Sequence, residues 1–159
     1  MARMFIPTEK KKAGKRKKKL HFFSFIFQSD NLFSSLTGYQ NIIASSLIEG
    51  TESDLARSNA RIVLEEILKD LNSKDQEDFS ITEMSGGQKQ RISFARAITS
   101  NYQVLFADEP TGNLDWYNAE ALMDYLIKSL EKKDGSSAVI VSHDIKLALD
   151  FADKIIYID

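Results

Sequence analysis

Three short apolar runs constrain this chain more than any other feature: Val104-Leu105-Phe106-Ala107, Ala138-Val139-Ile140-Val141 and Ile155-Ile156-Tyr157-Ile158. Segments of helical periodicity separate them, Asn118–Leu130 and Ile145–Phe151. Apolar strands alternating with helices predict a parallel sheet covered by helices on both faces. A fourth run, His21–Phe27, is aromatic and β-branched and predicts another buried strand. Between it and the alternating half lies a mostly helical stretch. Thr37–Leu47 is a predicted helix. Asp54 to about Leu71 is the clearest amphipathic pattern, with Leu55, Ile62, Val63, Ile67 and Leu71 in period and Thr51 or Ser53 available as cap. Ser85–Ile98 is a third helix, and Asn72–Asp78 a polar loop.

With 159 residues and 43% apolar side chains, the chain is long enough for a real core. It has no cysteine, which excludes a disulfide scaffold and thiolate chemistry. No apolar stretch approaches membrane-spanning length. The net charge of −2 conceals an asymmetry. Residues 1–19 carry nine Lys and Arg against one acid, Glu9, whereas the remaining 140 residues carry 12 basic and 22 acidic side chains. Residues 1–21 therefore read as a basic N-terminal segment, a solvated tail in its simplest reading and a polyanion-binding one in its sharper reading.

Four features fall at strand ends or helix starts, where open α/β sheets build their sites. Asp108 and Glu109 follow Val104–Ala107; a carboxylate delivered there suits Mg²⁺, and its neighbour can polarise water as a general base. Taken alone, the same pair would be an ordinary helix-capping loop. Ser85-Gly86-Gly87-Gln88 fits a capping box whose glycines leave N–H groups open to an anion, or is simply a glycine-rich helix start. His143, in Ser142-His143-Asp144 directly after Val139-Ile140-Val141, can bond a phosphate oxygen or orient water, or serve as a capping or packing residue. Gln28 follows Phe25-Ile26-Phe27 and says little by itself.

Together these residues resemble the nucleotide-binding domain of ATP-binding cassette (ABC) transporters. Met84-Ser85-Gly86-Gly87-Gln88-Lys89-Gln90-Arg91 is similar to the family's signature, Leu105–Glu109 to its Walker B strand, and Gly112-Asn113-Leu114-Asp115 to its D-loop. His143 resembles the switch histidine and Gln28 the Q-loop glutamine. The wording Asp108–Asp115 is most similar to the lipoprotein-release, macrolide-export and peptide-resistance branch. The resemblance implies a P-loop NTPase-like fold over 22–159, with a helical signature subdomain at about 40–98. It implies ATP and Mg²⁺ as ligands, Glu109, His143 and Gln28 as catalytic residues, and Asp108 and Gln28 at the metal. Ser85, Gly86, Gly87, Gln88 and Asp115 would bind nucleotide and couple two domains arranged head to tail. Transmembrane permease subunits would be partners, on the cytoplasmic face of the membrane.

One piece of the pattern is absent: no Gly-x-x-x-x-Gly-Lys-[Ser/Thr] occurs in the sequence, and Gly14-Lys15 is followed by Arg16 in a lysine-rich run. The resemblance implies a domain incomplete at both ends, inactive alone, with the strand at Ala138–Val141 left as an open edge and Ile155–Ile158 without its neighbour. Poor stability in isolation is expected on that ground. A non-catalytic interaction module, or a cassette ATPase acting on nucleic acid, are the alternatives; the D-loop wording and the lack of coiled coils or tandem cassettes argue against nucleic acid.

Overall fold

The computed structural model describes residues 2–7, 22–29, 31–69 and 79–158, the first six by their backbone; the lysine run, Leu71 and the 72–78 loop lie outside them. The chain divides into two compact units, Ser29–Ser100 and the residues on either side of that span.

The first of these units is helical. Helix α1 spans Gly38–Ile48, α2 Ser53–Ile67 and α3 Gly86–Thr99, with a single 3-10 turn at Ile81–Glu83. Thr37 opens α1 with a full capping box to Gln40, satisfying donors the first turn leaves free. The cap of α2 is Glu52, whose carboxylate accepts Asp54 N–H, and neither Thr51 nor Ser53. The buried face of α2 also differs from expectation. Leu55 and Ile62 are exposed, whereas Ala56, Ala60, Val63, Leu64 and Ile67 are buried. Small alanines face inward because α2 packs against both α1 and α3, and close approach favours residues without bulk. Gly38 serves the same end. A Cβ there would stand 2.8 Å from Met84 Cε and 2.9 Å from Ile92 Cδ1.

Buried Asn41 ties the loop before α1 to that helix. Its Oδ1 accepts Phe33 N–H at 2.9 Å, and its Nδ2 donates to the carbonyls of Phe33 and Thr37 at 3.1 and 2.9 Å.

Among the described residues, the other unit holds a five-stranded sheet and two helices. Its strands are β1 (Ala2–Pro7), β2 (Phe23–Ile26), β3 (Val104–Asp108), β4 (Ser137–Ser142) and β5 (Lys154–Tyr157), in the order β2-β3-β4-β1-β5. Its helices are α4 (Trp116–Lys132) and α5 (Ile145–Phe151). Strands β2, β3 and β4 are parallel and in register, Phe25 beside Phe106 and Phe106 beside Val139. The α/β order expected from the sequence is present.

Two expectations are corrected. Neither Ala138–Val141 nor Ile155–Ile158 lacks a neighbour: β1 lies between β4 and β5 and pairs with both, antiparallel, Met4 opposite Ile140 on one side and Ile155 on the other. Residues 2–7 thus form a strand inside the segment read as a basic tail, since an antiparallel ladder needs only an extended backbone of matching register.

Second, the described residues bury one face of the sheet. Ser24, Ile26, Leu105, Ala107, Ala138 and Ile140 point into a core to which α4 and α5 add Leu122, Met123, Leu126, Leu130 and Leu147. On the other face Phe23 and Phe25 are 57% and 48% exposed, beside Phe106, Val139 and Val141. The continuous apolar runs had implied two covered faces; the rings of Phe23, Phe25 and Phe106 instead cover one another, Phe25 stacking on Phe106 at 5.5 Å.

Candidate functional site

Three parallel strands end at one edge of the sheet, and each delivers a residue singled out above. β2 leads to Gln28, β3 to Asp108 and Glu109, and β4 to Ser142 and His143. Asp108, the last residue of β3, is exposed. Gln28 is likewise exposed, two residues past β2.

Glu109 is buried and its backbone is left-handed, φ 48°, a conformation that costs a residue with a Cβ about 1–3 kcal/mol. Its surroundings determine that geometry. Its N–H donates to the Val141 carbonyl at 2.9 Å and its own carbonyl accepts Gly112 N–H at 3.2 Å. The side chain is held as firmly. Oε1 accepts the backbone N–H of His143 at 2.9 Å and lies 2.9 Å from His143 Nδ1, while Oε2 accepts Ser142 Oγ–H at 3.4 Å. The structure thus brings Glu109 and His143 into direct contact.

The imidazole of His143 is open to solvent, its side chain 79% exposed. The hydrogen bond and negative charge of Glu109, with a smaller contribution from Asp144, hold its pKa above the usual histidine value. Asp144 also caps α5 by accepting Leu147 N–H at 3.0 Å.

Asp115 caps α4, accepting the backbone N–H of Asn118 at 3.0 Å and its side-chain amide at 2.7 Å. These bonds lower its pKa. As charged oxygen and amide donors, Asp108 and Gln28 fit Mg²⁺, which prefers hard ligands and retains several waters. Among the described residues no three His, Cys, Asp or Glu side chains gather as a cage.

Ser85–Gln88 belongs to the helical unit. Ser85 Oγ accepts Gln88 N–H at 3.2 Å and Gln88 Oε1 accepts Ser85 N–H at 2.8 Å, the capping box expected from the sequence. The N–H groups of Gly86 and Gly87, at the first two helical positions, have no place in the i→i−4 ladder. A Cβ on Gly86 would meet nothing within 4 Å. Nothing around it therefore requires a glycine, and its bare backbone is open to an anion approaching from outside.

The sequence profile of the family described as ABC transporter matches residues 6–112, more than half of the chain. The chain belongs to the ABC transporter family. It is 39% identical over 136 residues to the macrolide export ATP-binding/permease protein MacB of Shewanella sp. (strain W3-18-1), spanning 86% of this chain and 20% of that one. It is 37% identical over 124 residues to the ABC transporter ATP-binding protein YbbA of Escherichia coli K12, spanning 78% of this chain and 52% of that one. The ATP-binding cassette MJ0796, solved as a dimer bound to ADP and Pi, superposes with a TM-score of 0.71 at 30% identity, over 83% of this chain and 56% of that one. The chain thus spans between a fifth and about half of these curated relatives.

Within this ABC transporter chain, two contacts escape sequence reasoning. The hydroxyl of Ser142, the last residue of β4, reaches the Glu109 carboxylate and also accepts Asp144 N–H at 3.1 Å. Lys146 lies over the Trp116 ring, Nζ 3.7 Å from its centroid, joining the start of α5 to the start of α4. A hydroxyl at a strand's end hinted at the first; no local signal marks the second. Among the described residues no helix is long and apolar enough to cross a membrane.

Proposed function

We propose that this chain is part of the ATP-binding component of an ABC transporter of the macrolide-export type, in which ATP binding and hydrolysis drive transport. The observation that carries the reading is the Glu109–His143 pair: a buried carboxylate held in a strained backbone beside an exposed imidazole. In a complete nucleotide site Glu109 accepts a proton from the water that attacks the γ-phosphoryl group. His143, whose free edge faces solvent, donates to a γ-phosphate oxygen. Asp108 and Gln28 would hold Mg²⁺, and the ion, when bound, would supply positive charge against the phosphates. Ser85, Gly86 and Gly87 offer N–H and hydroxyl donors to the γ-phosphate of ATP held by a second cassette, with Gln88 fixing the turn. Asp115 couples the two cassettes across their interface. The working place of such an assembly is the cytoplasmic face of a membrane, against permease subunits.

The 159 residues contain no Gly-x-x-x-x-Gly-Lys-[Ser/Thr], the backbone cradle that phosphate needs in this fold class. We therefore assign to these residues alone the signature half of a composite site. They bind MgATP weakly, do not turn it over, and complete the site of an intact partner cassette.

Gly86→Val tests the reading, because a side chain there meets open space within the chain. Sedimentation of the chain with an intact family cassette is expected to show association in MgATP that is lost in MgADP. Gly86→Val is expected to abolish that association without moving the melting temperature. Association indifferent to nucleotide, or to Gly86→Val, overturns the reading.

A further inference from the structure

Arg91 lies in the first half of α3, where an arginine would ordinarily reach into solvent, but its side chain is buried, only 9% exposed. Its Nη1 donates to the carbonyl of Ile67 at 3.0 Å, a buried bond, and its Nε to the carbonyl of Gly87 at 3.4 Å. Ile67 is the last residue of α2, a helix with no basic residue in its own last turn. That end carries free carbonyls and partial negative charge, and the guanidinium of Arg91 supplies the complementary cation from another helix. The second acceptor, Gly87, lies in the first turn of α3, beside Ser85 and Gly86. One planar fork therefore joins the end of α2 to the opening of α3.

The opening of α3 needs such a support. Two consecutive glycines have no side chains with which to pin the turn, and they raise the conformational entropy it must lose on ordering. The Ser85–Gln88 capping box closes the turn on itself but does not anchor it to its surroundings. We propose that Arg91 is a positioning residue: by bracing the Gly86–Gly87 turn against the end of α2, it fixes the direction in which the open N–H groups of that turn point. Lysine is a poor substitute, because a single ammonium lacks the rigid two-ended fork. The consequence for a γ-phosphate on a second cassette rests on the function proposed above; the brace itself does not.

The test uses the full chain as wild type, Arg91→Lys and Arg91→Met, with two readouts. Hydrogen exchange of the backbone amides of Gln88–Arg91 is compared with that of Leu122–Leu130 in α4, which belongs to the other unit. Arg91→Met is expected to accelerate exchange at Gln88–Arg91 by roughly tenfold or more while α4 is unchanged, with Arg91→Lys in between. The second readout is MgATP-dependent association with an intact cassette, which Arg91→Met is expected to weaken by about tenfold, in proportion to the loosened turn. Unchanged exchange at Gln88–Arg91, or acceleration spread evenly through α1, α2 and α3, overturns the brace, and so does full association by a variant whose turn is loosened. If the turn loosens as expected but the wild-type chain itself never associates in MgATP, the brace stands and the functional reading falls.

Discussion

In the sheet unit, the residues proposed for chemistry sit where three backbone ladders end; in the helical unit, the signature turn sits where side chains hold backbone. Glu109 and His143 are placed by the β3 and β4 register and then locked by bonds between strand ends. Ser85–Gln88 is placed by a capping box, by the Arg91 fork and by packing so close that Gly38 leaves no room for a Cβ against Met84 and Ile92. Near the other end of α3, Arg96 Nη1 donates to the carbonyl of left-handed Asn31 at 2.8 Å. The lesson is one of sensitivity. A ladder shares the task of positioning among many equivalent bonds, whereas a side-chain brace concentrates it in one or two residues.

Core apolar residues give the largest expected contrast. Phe94 is fully buried in the helical unit and Phe25 is half exposed on the open sheet face. Phe94→Ala is expected to cost about 3–5 kcal/mol in denaturant unfolding. Phe25→Ser is expected to cost about 1 kcal/mol or less and to reduce aggregation, because it breaks an exposed apolar patch. Equal losses at the two positions would mean that the open face is covered in solution. A smaller but sharper effect is expected at Asn41. Asn41→Ala removes the buried side-chain amide that bonds the backbone of Phe33 and Thr37, at a cost of about 1–3 kcal/mol, confined to amide exchange in the helical unit. Loss of protection in α4 as well would break the separation of the two units.

The smallest expected effect concerns His143. Its pKa lies above the ordinary value of about 6.5 because of Glu109. Any stability contributed by the pair is therefore complete below the unfolded-state value and is lost as pH rises through the higher folded-state value. Proton NMR is expected to place the His143 midpoint above that of an unstructured histidine, and Glu109→Gln to bring it back down. Because the imidazole is exposed and screened, the change in overall stability is small. A midpoint that ignores Glu109→Gln would remove the pair as the defining feature of the site.

Much of this was legible in the sequence, for local reasons. The capping box Ser85–Gln88, the apolar strands before Asp108 and His143, and the helix after Asp115 are written in adjacent residues. What escaped is non-local. Strand β1 was hidden because Arg3 and the lysines beyond it dominate the composition, and its pairing depends on partners about 140 residues away. The inward face of α2 was misjudged because periodicity weighs large side chains, while close helix packing selected Ala56 and Ala60. The left-handed backbone of Glu109 and the buried fork of Arg91 follow from neighbours brought in by the fold, from β4 in one case and α2 in the other.

The central proposal is that Glu109 and Ser85–Gln88 serve as the catalytic carboxylate and the signature turn of an ABC cassette, in residues without the Gly-x-x-x-x-Gly-Lys-[Ser/Thr] cradle. Steady-state ATP turnover by the purified chain, as wild type and as Glu109→Gln, tests it most directly. The account predicts no turnover above background for either protein, with MgATP-dependent association appearing only when an intact cassette is added. Turnover by the wild-type chain alone that Glu109→Gln abolishes would contradict it.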